Sequence, residues 1–302
     1  MNNLHLSIKP NYPSFFKKFY FLKVIFILLI LCISCEKSKP DNTSNLLGLV
    51  AIVNSTKVQS YVVTTFAGSG EIGSVDGTGR AASFNYPAGI ALDSNGNLYL
   101  ADTYYNHKIR KITFDGIVTT LAGSGSKGSI DGAGNTASFN SPGGVVVDKS
   151  GNVYVADTFN SKIRKITFEG VVSTFAGSGV EGFADGAGGV AIFFRPLGVI
   201  VDDSGAVYVA DTYNNKIRKI EVSGVVTTLA GSGASGATDG TGIAATFRSP
   251  QSIALDSVGN IYVGDYGNHK VRKINSNGVV TTFAGSADNY LYPLGIAIDS
   301  SG

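Results

Sequence analysis

Aspartate is the residue of this chain best placed to do chemistry, because it recurs in register. Asp76, Asp131, Asp185 and Asp239 each precede a glycine in glycine-rich segments, at steps of 54 or 55 residues. Two readings fit that pattern. Each carboxylate can cap a turn or a single helical turn, with Phe84, Phe139, Phe193 and Phe247 and the proline after each one pinning the segment down. Each can instead belong to a calcium loop, although calcium takes about six to eight oxygen ligands and every segment offers one carboxylate. Calcium at Asp76, Asp131, Asp185 and Asp239 is therefore carried as the metal alternative, and no other cofactor is expected.

A second set combines rings and amides: Asp102-Thr-Tyr-Tyr-Asn, Asp157-Thr-Phe-Asn, Asp211-Thr-Tyr-Asn and Asp265-Tyr-Gly-Asn. Rings stack on sugars and peptide surfaces while amides hydrogen-bond to them. Tyr104, Asn106, Phe159, Asn160, Tyr213, Asn214, Tyr266 and Asn268 are accordingly the candidate binding residues. The structural alternative is that Asn takes a left-handed turn position and Asp bonds nearby backbone amides. Arg110, Arg164, Arg218 and Arg272 stand between apolar residues in Lys-Ile-Arg-Lys-Ile or Lys-Val-Arg-Lys-Ile. A packed stem or an interblade ion pair, with one Asp per repeat as the partner, suits them better than an exposed nucleic-acid patch.

Catalytic constellations are harder to assemble. A hydrolytic metal site on a central axis needs His, Glu, Asp or Asn on several inner strands. The corresponding segments read Gly-Ile-Ala-Leu, Gly-Val-Val-Val, Gly-Val-Ile-Val, Ser-Ile-Ala-Leu and Gly-Ile-Ala-Ile, with nothing that ligates. His107 and His269 are three repeats apart. No catalytic residue is assigned, and a non-catalytic role is expected.

The elements that position these residues follow from the repeat. Asp102, Asp157, Asp211 and Asp265 recur at steps of 54 or 55 residues, and a fixed period of that size marks a repeat architecture. Each unit holds four short β-type segments separated by turns such as Ser-Asn-Gly-Asn and Phe-Asp-Gly. Four hairpin-linked strands, repeated without helices, describe the blade of an all-β propeller. A lone blade cannot cover both its faces, so neighbours must. Complete blades are expected near 87–123, 142–177, 196–231 and 250–285, with partial strands at 61–68 and 293–302. Counting strands this way makes the chain part of a longer ring, with six blades the expected closure. By strand parity, the second-to-third turns and the long connections between blades share one end, which is expected to be the elaborated, ligand-meeting one.

The phrase Pro-x-Gly-Ile/Val … Gly-Asn-x-Tyr-Val-Ala-Asp … Asn-x-Lys-Ile-Arg-Lys-Ile resembles the NHL repeat family, and Asn106-His107-Lys108 and Asn268-His269-Lys270 echo its name. The Ala-Gly-Ser-Gly … Asp-Gly-x-Gly connections look most like the NHL domains of teneurin-type and bacterial surface proteins. The resemblance covers residues 61–302 and implies a propeller that binds or scaffolds. Some related propellers are lactonase-like or lyase-like enzymes with an axial metal, which is the alternative function.

The N-terminus reads as an address. Lys17, Lys18 and Lys23 precede the apolar run Val24 to Ser34, which is short for a bilayer span and ends at Cys35. This resembles a bacterial lipoprotein signal, residues 1–34, cleaved before a lipidated Cys35, with 35–60 as tether. The implied location is exported and membrane-anchored, periplasmic or cell-surface. The formal charge of the whole chain is +2, and removal of the leader's lysines makes it slightly acidic. A protein or glycan partner is therefore expected, and no nucleic acid, whose binders carry a basic footprint.

Overall fold

The computed structural model describes residues 62–285 and 292–299. The chain divides into two units, residues 1–66 and 67–302. Of the first, residues 62–66 are described and form no regular element. The expected leader 1–34, the lipidation site Cys35 and the tether 35–60 lie outside the described residues.

The second unit contains four antiparallel sheets, one per repeat. The first is built from β1 (Gly77–Thr78), β2 (Pro87–Leu92), β3 (Leu98–Asp102), β4 (Lys108–Ile112) and β5 (Ile117–Ala122). The second holds β6 (Gly132–Ala133), β7 (Val145–Val147), β8 (Val153–Asp157), β9 (Lys162–Ile166) and β10 (Val171–Ala176). The third holds β11 (Val199–Val201), β12 (Val207–Asp211), β13 (Lys216–Ile220) and β14 (Val226–Ala230). The fourth holds β15 (Gly240–Thr241), β16 (Pro250–Leu255), β17 (Ile261–Asp265), β18 (Lys270–Ile274) and β19 (Val279–Ala284). The four long strands of each sheet span Pro87–Ala122, Val145–Ala176, Val199–Ala230 and Pro250–Ala284.

Sequence dictates these strands through burial on both faces. Val153–Asp157 is buried at every residue, so its apolar character runs on rather than alternating. Branched and aromatic side chains suit such a strand. Three of the four buried apolar clusters among the described residues lie between neighbouring blades, and the fourth packs Ala82 against Ile112 and Val118 of the first blade. One core joins Tyr99, Ala101 and Ile109 of the first blade to Val153, Val155 and Ile166 of the second. Equivalent cores join the second to the third and the third to the fourth. A one-residue bulge falls at the same place in every blade, at Leu121, Phe175, Leu229 and Phe283. It turns Phe175 onto Tyr154, ring centroids 5.1 Å apart.

The long connections correct one expectation. They do not stand up as loops on one end. Gly132–Ala133 pairs with Val171 and Val172, at the start of the outermost strand of the following blade. Gly77–Thr78 and Gly240–Thr241 do the same in the first and fourth blades, and Gly186 bridges Val226 in the third. The N–H groups of Gly79 and Gly242 reach the carbonyls of Gly116 and Gly278, in the turns at the opposite end. Each connection thus runs along the outer edge of the next blade and returns. Covering that edge removes a row of unpaired backbone groups, which would otherwise invite strand addition. A second correction concerns the expected partial strands. Residues 62–68 and 292–299 carry outer-strand and inner-strand sequences, yet no strand forms among them. A ladder needs a neighbouring strand of the same blade, and the described residues supply none there.

Candidate functional site

Every second strand ends in an aspartate that is fully buried, and that residue organises the turn after it. Oδ1 of Asp102, Asp157, Asp211 and Asp265 accepts the backbone N–H of residues 85, 140, 194 and 248, at 2.7–2.8 Å. Oδ2 accepts a guanidinium nitrogen of Arg110, Arg164, Arg218 or Arg272 at 2.7–3.0 Å. It also accepts the side-chain amide of Asn106, Asn160, Asn214 or Asn268 at 2.8 Å. The other proton of that amide goes to the carbonyl of Gly73, Gly128, Gly182 or Gly236 at 2.6–2.7 Å. The four asparagines proposed as ligand contacts are therefore committed to the fold. Their amides clamp the start of each connection to the strand end.

The second aspartate series closes the same network. Each arginine reaches Asp76, Asp131, Asp185 or Asp239 through a second nitrogen, and its guanidinium carbon lies 5.1–5.3 Å from the ring centre of Phe84, Phe139, Phe193 or Phe247. Thr120, Thr174, Thr228 and Thr282 donate hydroxyl hydrogens to these carboxylates at 3.1–3.2 Å. With their oxygens taken by Arg and Thr, the calcium reading of these residues is corrected to a structural one. No cluster of three or more His, Cys, Asp or Glu able to hold a metal occurs among the described residues. Burial pushes the Asp131 carboxyl up, but the Thr174 N–H and Arg164 outweigh it and leave it below its ordinary 3.8. The same balance lowers Asp76 and Asp239. At Asp157, burial wins and raises the carboxyl against its Asn140, Asn160 and Arg164 partners. The repeat arginines are fully buried in this network and offer no basic patch.

With the asparagines absorbed, the rings remain. Phe159 and Tyr213 are 41% and 53% exposed, Tyr105 beside Tyr104 is 57% exposed, and Tyr104 and Tyr266 are half-buried. They come from the second-to-third turns and so share one end of the propeller. Rings one or two residues before three of the prolines join them there: Tyr86 meets Tyr104 at 5.8 Å, Phe194 meets Tyr213 at 5.1 Å and Tyr292 meets Tyr266 at 5.0 Å between ring centres. Sequence reasoning missed these partners and Arg195, whose guanidinium carbon lies 4.8 Å from the Phe159 ring centre and 5.2 Å from that of Tyr213. No signal in the sequence announced them, because these positions vary from repeat to repeat: Tyr86, Ser141, Arg195 and Ser249.

Backbone conformation concentrates on the same end. Eight non-glycine residues take positive φ among the described residues: Tyr86, Ser141, Arg195 and Ser249 before prolines, and His107, Ser161, Asn215 and His269 in the turns. Each such residue costs of the order of 1 kcal/mol, so the surroundings must enforce it. They do so by linking blades: the Ser141 N–H donates to His107 Nδ1 at 3.1 Å, and the Ser249 N–H to Asn215 Oδ1 at 2.8 Å. The Thr103 and Thr158 hydroxyls add bonds to the carbonyls of Pro142 and Pro196, at 2.7 and 2.8 Å. The aromatic end is thus rigid, which suits a preformed binding surface.

Known proteins share this architecture. A family model described as the NHL repeat matches residues 84–112, 139–166, 193–220 and 247–274, one match per blade. The chain is 30% identical over 288 residues to the chloroplastic protein Suppressor of Quenching 1 of Arabidopsis thaliana, covering 71% of this chain and 27% of that protein. It is 26% identical over 231 residues to Teneurin-3 of Danio rerio, covering 63% of this chain and 8% of that protein. A solved structure of unknown function from Bacteroides thetaiotaomicron VPI-5482 matches at 25% identity with a TM-score of 0.51, covering 66% of this chain and 47% of that one. The chain therefore spans about a quarter of the first curated relative and far less of the second. Four radial sheets packed face to face, each repeating one turn network, define a β-propeller. The chain belongs to the NHL-repeat propellers.

Proposed function

We propose that this propeller is a non-catalytic binding module that meets a protein or glycan on its aromatic end. The observation that carries the reading is the rigid row of rings there, with Phe159 and Tyr213 exposed at 41% and 53%. Exposed rings on a rigid frame lose little entropy on binding and supply apolar stacking area. The glycan and peptide arrays that test it use the full chain beside Phe159→Ala and Tyr213→Ala. Both variants are expected to lose a ligand that the parent binds while keeping its melting temperature; unchanged binding by both would remove this surface from the function.

The same reading places the module on a membrane through lipid at Cys35, supported by the charged and apolar run from Lys17 to Ser34 ahead of it. Expression in a bacterial host with a labelled fatty acid tests this. Label on the parent and none on Cys35→Ala is the expected result, and an unlabelled parent would overturn it.

A further inference from the structure

Both ends of the propeller carry charged residues of both signs. Turns at the end opposite the rings carry Asp115, Glu169, Asp202, Asp203 and Glu221, with Lys149 paired to Asp203 among them. The aromatic end carries Lys127, Arg195 and Arg248 beside Glu181 and Glu71.

Arg195 is unlike the arginines of the repeat. Those have fully buried side chains with carboxylates on two nitrogens. The Arg195 side chain is 30% exposed, and its one ion pair runs from Nε to Glu181 at 3.2 Å. Its two terminal nitrogens have no hydrogen-bond partner among the described residues. Rings hold the group in place: centroids of Phe159, Tyr213 and Phe194 lie 4.8, 5.2 and 5.9 Å from its carbon. Backbone geometry holds it too, because Arg195 sits at φ 49° and donates its N–H to Ser161 Oγ at 3.4 Å. Tyr86, Ser141 and Ser249 fill the same position elsewhere with φ near 50°, so the fold does not require arginine there.

We propose that this arginine and its rings form a subsite for a carboxylate-bearing sugar, a uronic-acid unit of an acidic glycan. The proposal rests on the aromatic end being a binding surface. The planar fork of a guanidinium matches a carboxylate through two parallel N–H···O bonds, and Glu181 leaves its terminal edge open. The exposed rings of Phe159 and Tyr213 flank that edge and take the apolar faces of adjoining sugar units. Arg248, exposed one blade further on, adds positive charge along the same path. Glu181 does double duty, because it orients the arginine while limiting affinity for simple anions.

The test is isothermal titration of the full chain with oligogalacturonate and with its methyl ester, at low and at physiological salt. The acid is expected to bind roughly tenfold or more tightly than the ester, with the difference shrinking as salt screens it. Arg195→Gln is expected to bring the acid down to the level of the ester, and Arg195→Lys to recover part of the loss, at unchanged melting temperature. Equal binding of acid and ester, both lost in Tyr213→Ala, would overturn the charge selection and leave the aromatic surface standing. Binding of neither sugar overturns the proposal. Arg195-dependent binding of single-stranded RNA or of phosphatidylglycerol vesicles, with no binding of oligogalacturonate, would reassign the subsite to another polyanion and overturn it equally.

Discussion

Nδ1 of His107 accepts the backbone N–H of Ser141 at 3.1 Å, and that bond ties the turn of one blade to the entry of the next. The bond requires a neutral imidazole, since a protonated ring has no acceptor. Burial and the nearby charge of Lys127 push the His107 pKa below its ordinary 6.5, against a backbone hydrogen bond with Thr103 that raises it.

An imidazole depressed in the folded state contributes stability that is full above its ordinary pKa and fades as pH falls through it. The melting temperature is therefore expected to drop by about 2–4 °C between pH 7.5 and 5.5, the size of one hydrogen bond in a domain of this length. His107→Asn should flatten that interval, because Asn215 already makes the equivalent bond to Ser249 without titrating. Parallel scans of the two proteins that show the same slope would remove His107 as the cause.

Asp157→Ala leaves Arg164 buried without the carboxylate beside it. Removing one partner of a fully buried pair costs about 3–5 kcal/mol. Urea unfolding should show that loss. A change below about 1 kcal/mol would mean that Asp131 alone satisfies the arginine.

Acid titration reports the outer carboxylates. Asp76, Asp131 and Asp239 lie below their ordinary 3.8 in the folded chain, so their contribution is present above that value and disappears as pH falls beneath it. Far-UV circular dichroism is expected to hold steady to about pH 4 and then fall. In Asp131→Asn the acid transition should be shallower, and an unchanged midpoint and slope would exclude this residue from it.

Calcium should leave the protein untouched. The oxygens of Asp76, Asp131, Asp185 and Asp239 already accept Arg and Thr donors. Millimolar calcium or chelator is expected to move the melting temperature by less than about 1 °C, whereas a bound ion at a hundred times its Kd would add about 2.7 kcal/mol.

The radial sheets were legible in the sequence because the period placed every strand and turn in register. That Arg110 needs a partner was legible too, since a charge between isoleucines in a buried strand needs one, but the expected interblade pair is corrected: the partner is Asp102, on the neighbouring strand of the same blade. The role of Asn106 was not legible. Its amide bonds the carbonyl of Gly73, 33 positions away in sequence, and nothing in the turn motif announces that partner. The path of the connections was hidden for a related reason: Gly132–Ala133 makes a pairing of two residues, too short to leave an alternating pattern. Arg195 escaped notice because it breaks the repeat, and a reading guided by periodicity gives weight to what recurs.

Since each blade is hemmed along its rim by the stretch of chain that comes before it, the heritable module does not coincide with the visible sheet. It opens in the glycine-rich stretch and closes with the fourth long strand, roughly from Ala67 to Ala122 and its successors. A nick after Gly128 would accordingly loosen the sheet that follows and spare the one already completed. Duplication or loss of modules cut at that boundary would carry the hem along with the cloth.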